Sequence, residues 1–80
     1  MSLERLVYMA NQIGTFFAHM KEAEAVAAIA DHLVKFWDPR MRTQILAHLE
    51  TSGGKGLNPL VLAAVKELRS QHESKTAAAR

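Results

Sequence analysis

Two short strings, Trp37-Asp38-Pro39 and Leu57-Asn58-Pro59, constrain this chain more than any other feature. In each, an apolar residue precedes a small polar one and a proline follows. Proline fixes φ, lacks an N–H and pushes the residue before it out of the α region, so it suits the first position of a helix and ends a preceding one. Asp38 and Asn58 therefore read as N-caps that accept the unpaired N–H groups of the helix they start. The chain must turn at both places.

Around these breaks apolar residues recur at helical spacing and nowhere alternate over a strand's length, which predicts an all-α fold, a small bundle of four short helices. A first helix is expected over residues 3–20, capped by Ser2, with Leu6, Ala10, Ile13 and Phe17 inward and Phe16 and Met20 at the edge of the stripe. A second, over residues 22–37, turns Val26, Ile29, Ala30, Leu33 and Trp37 inward. Nothing but geometry separates the two. At 100° per residue their stripes point roughly 170° apart, and a single rod would measure roughly 52 Å, too long for one small core. A turn is accordingly placed within residues 20–24. The third helix, 39–51, directs Met41, Ile45 and Leu49 inward with Leu46 beside them, and Ser52-Gly53-Gly54-Lys55-Gly56 ends it. The fourth, 59–72, carries Val61, Ala64, Val65 and Leu68. Residues 73–80 have no apolar stripe and are expected to form a flexible C-terminal tail beyond a bundle of residues 1–72.

Eighty residues make one small domain, near the size at which a single core leaves little net stability. The absence of cysteine excludes a disulfide framework, a thiolate nucleophile and metal or iron–sulfur ligation through sulfur, and it fits a reducing compartment. The first residues have no apolar signal core, and no apolar run approaches the roughly 18 residues of a spanning helix, so a soluble, cytoplasmic chain is expected. The net charge of +2 names no partner. His19, His32, His48 and His72 fall on four different segments with no pair at i, i+4, which argues against a metal site. Lys55 is followed by Gly and preceded by no strand, so the glycine-rich loop is a helix stop rather than a phosphate loop. Asp31 and His32 are adjacent on a helix and point to different faces, which defeats an acid–base pair. No catalytic, cofactor-binding or metal-binding residue is assigned to this chain.

What remains is binding. Arg40 and Arg42 place two cations in the first turn of the third helix, where the helix dipole disfavours them, and a broken local rule calls for a compensating interaction. Within the chain, Arg42 would stack on Trp37 and Arg40 would pair with Asp38 or another acid. Alternatively, Trp37, Arg40, Met41 and Arg42 form a docking corner, since Trp, Met and Arg are enriched at interface cores. The exposed side of the first helix around Asn11 and Gln12 is the next candidate. A helix-turn-helix presenting the two arginines to nucleic acid is a further reading, opposed by the flanking Asp31, Asp38 and Glu50.

Met9-Ala10-Asn11-Gln12-Ile13, Phe16-Phe17, Ile29-Ala30-Asp31-His32-Leu33, the run from Phe36 through Trp37-Asp38-Pro39-Arg40-Met41-Arg42, and Gly56-Leu57-Asn58-Pro59 resemble the delta subunit of NAD-dependent formate dehydrogenases. The resemblance covers roughly residues 6–66, and its Trp-Asp-Pro-Arg-Met-Arg core is the specific part. One departure is Met20-Lys21-Glu22-Ala23, where many relatives carry a proline. The resemblance implies a small bacterial accessory protein of a soluble enzyme that oxidises formate and reduces NAD. It further implies that molybdopterin with molybdenum or tungsten, iron–sulfur clusters, FMN and NAD reside in the larger subunits. The expected partners are therefore those larger formate dehydrogenase subunits, with no membrane, and with self-association when the chain is alone. An assembly factor for the molybdopterin-containing subunit is the alternative role.

Overall fold

The computed structural model describes the backbone of residues 2–78 and the side chains of residues 2–71. Four helices, α1 (Leu3–Phe17), α2 (Glu22–Phe36), α3 (Pro39–Ser52) and α4 (Pro59–Ala78), pack into a small all-α bundle with no strand among the described residues. Ser2 caps α1 by accepting from the Arg5 N–H at 3.2 Å. Asp38 caps α3 through Oδ1, which accepts the Met41 N–H at 3.0 Å, with Pro39 opening the helix behind it. Gly53 closes α3 in the left-handed region at φ 71°, where its N–H reaches the Leu49 carbonyl at 2.9 Å.

The first turn falls earlier than the spacing predicts. α1 stops at Phe17, not at Met20, and the connection occupies residues 18–21 rather than 20–24. The physical reason lies in His19, whose ring nitrogen Nδ1 sits 3.2 Å from the Phe16 carbonyl and caps the last turn, while the Ala18 N–H tightens onto the Thr15 carbonyl. At the other end, α4 continues to Ala78, past the expected stop at His72. The flexible tail expected at 73–80 otherwise lies outside the described residues.

The interior is built from the predicted stripes. Leu6, Ala10, Ile29, Ala30, Leu33, Trp37, Ile45, Leu49, Val61, Ala64, Val65 and Leu68 form one continuous core. Ile13, Phe17, Val26, Met41 and Leu46, expected inward, are half-buried against it. Phe16, expected at the edge, stands out in solvent at 72 % exposure. α4 lies along α2, which puts the last helix across the middle of the fold and lets α1 and α3 flank it.

Asn11 joins the two ends of this arrangement. Its Nδ2 donates to the Gly56 carbonyl at 2.9 Å, and its Oδ1 accepts the Asn58 N–H at 2.9 Å. One amide thus holds the loop before α4 against α1. An Asn11→Ala variant leaves both loop groups without their protein partner, and it is expected to lose about 1–2 kcal/mol of stability. A denaturant midpoint equal to that of the unaltered chain would show that water replaces the amide without cost.

Candidate functional site

At the α2–α3 corner Arg42 finds a compensating interaction within the chain, though not with the expected partner. Arg42 Nη1 donates to the Val34 carbonyl at 3.1 Å and to the Trp37 carbonyl. Its guanidinium therefore caps the C-terminal end of α2, the negative end of that dipole, and this offsets its poor position in the first turn of α3. It does not stack on the Trp37 ring; it holds the Trp37 backbone. Trp37 itself is buried at 4 % exposure and belongs to the core. Arg40 is exposed, and the expected pair with Asp38 is not formed, since the Asp38 carboxylate turns to the Met41 N–H. The ion pairs among the described residues are Lys35 with Asp31 and Arg69 with Glu50.

The proposed docking residues are thereby sorted. Trp37 and Arg42 are committed to the corner, Met41 is half-buried against the core, and Arg40 projects. Asn11 is occupied by the loop, and Gln12 is exposed with its Nε2 donating to the Tyr8 hydroxyl at 2.7 Å. With Arg42 turned inward, a nucleic-acid reading keeps a single arginine at the start of α3. Arg42→Met is expected to lower stability by about 1–2 kcal/mol, a loss of roughly 4–8 °C in melting temperature per kcal/mol, whereas Arg40→Gln should leave melting unchanged. Equal melting of the two variants would remove Arg42 from its capping role.

The surface contains a feature that the corner motif does not announce. An open groove runs between α1 and α2 to the start of α3, with Tyr8 and Gln12 on one rim and His32 and Phe36 on the other. Met9, Ile13, Trp37 and Met41 complete its lining. Phe36 is 71 % exposed, Tyr8 63 % and Phe16, beside Tyr8 and Gln12, 72 %. The aromatic rings touch in series. Phe16 meets Phe17 edge-on at 5.0 Å between centroids, Phe17 meets His32 at 6.3 Å, and His32 tilts onto Phe36 at 4.5 Å. Pairs of this kind hold the rings in place and leave their outer faces unburied. Tyr8 and Phe36 thus stand exposed on this groove, with Phe16 exposed beside Tyr8 and Gln12.

Trp37, Met41 and Gln12 belong to this groove, so the structure brings together two residues of the first predicted docking region and one of the second. Tyr8, Phe16, His32 and Phe36 were missed. Their signal in the sequence is faint: Phe16 lies about 100° round the helix from Phe17, and Phe36 follows His32 at i+4 on the edge of the inward stripe. No three His, Asp or Glu side chains among the described residues are grouped to hold a metal ion. No helix among them is long and apolar enough to cross a membrane.

A family model described as the NADH-dependant formate dehydrogenase delta subunit FdsD matches residues 5–65. Neither the curated proteins nor the solved structures contain a match.

Proposed function

Since the chain belongs to the formate dehydrogenase delta subunit family, we propose that it is a non-catalytic accessory subunit that docks on the larger subunits of a soluble, NAD-reducing formate dehydrogenase and stabilises them. The observation that carries this reading is the aromatic groove of Tyr8, Phe36 and Met41 with Phe16 beside it, an apolar surface that a free monomer has no reason to keep in water. In this proposal the pterin with its molybdenum or tungsten, the iron–sulfur clusters, FMN and the NAD site belong to the larger subunits. The enzyme is bacterial and cytoplasmic. A chain without cysteine cannot carry the iron–sulfur electron path through thiolates, so its contribution is structural.

The test is to co-express the chain with the larger subunits, purify through a tag on the catalytic one, and weigh the intact complex. A permanent subunit is retained in fixed stoichiometry by the cofactor-loaded enzyme. Retention by the cofactor-free catalytic subunit alone would make the chain an assembly factor instead. Formate-dependent NAD reduction by the purified chain in isolation would overturn the non-catalytic assignment.

A further inference from the structure

We draw no further inference here: the strongest candidate, the apolar groove between α1 and α2 with the exposed rings of Tyr8 and Phe36 on its rims, carries none beyond the accessory role, because nothing in the structure shows what covers it.

Discussion

Replacing Phe16 and Phe36 together by serine is expected to abolish association with the larger formate dehydrogenase subunits while leaving the bundle folded. The two rings are 72 % and 71 % exposed, so the folded monomer gains little from them beyond one edge contact and one tilted contact. A partner that covers them removes both from water. Aromatic anchors of that sort cost about 2 kcal/mol or more each when truncated, and about 4 kcal/mol together is roughly a thousandfold in affinity. The variant should melt within a few degrees of the unaltered chain and be the more soluble of the two. Undiminished co-purification would move the docking surface away from α1 and α2. The apolar floor between α3 and α4, around Leu46 and Leu68, is the next surface to test.

Gly14→Val is expected to prevent folding, because α1 meets α4 at that glycine with no space for a side chain. A Cβ placed on Gly14 would clash with Val61 Cγ2, and Val61 is fully buried. Alanine at this site gains about 1 kcal/mol in helix propensity and loses about 1–3 kcal/mol to overpacking, a net loss of up to about 2 kcal/mol. Valine adds two further methyl groups to the same clash. The whole stability of a chain of this size is roughly 4–12 kcal/mol, so the larger residue consumes most of it. Val61→Ala removes the obstructing methyl, and the double variant Gly14→Ala, Val61→Ala should be more stable than the sum of the two single losses predicts. Denaturant unfolding of the four proteins measures the coupling. A Gly14→Ala protein more stable than its parent would show that the helices part at no cost.

Local rules wrote most of the architecture into the residues. Asp38-Pro39 and Asn58-Pro59 mark the starts of α3 and α4, and Leu33, Ile45, Val61 and Val65 occupy the interior that their periodicity assigns to them. These features depend on neighbours within one or two helical turns. The features that escaped depend on how one element meets another. Asn11 reaches Gly56 and Asn58 across more than forty residues, so its exposed side of α1 looks free until α4 is placed. Arg42 acts on α2 by folding back over a turn, which makes a poorly placed cation in one helix the cap of another. The groove is a matter of docking geometry: whether an edge residue such as Phe36 is covered depends on where the next helix lies, and no periodicity encodes that.

The contact between Gly14 and Val61 also orders events in time. α1 and α2 emerge first from the ribosome, yet the surface they bury is supplied largely by the last helix. Until Val61, Val65 and Leu68 have been synthesised, the nascent chain carries its inner stripes uncovered beside its aromatic rims. Fragments ending before α4 should therefore remain sticky and protease-sensitive, and a genetic fusion that delays the C-terminal end should hold back maturation of the whole complex.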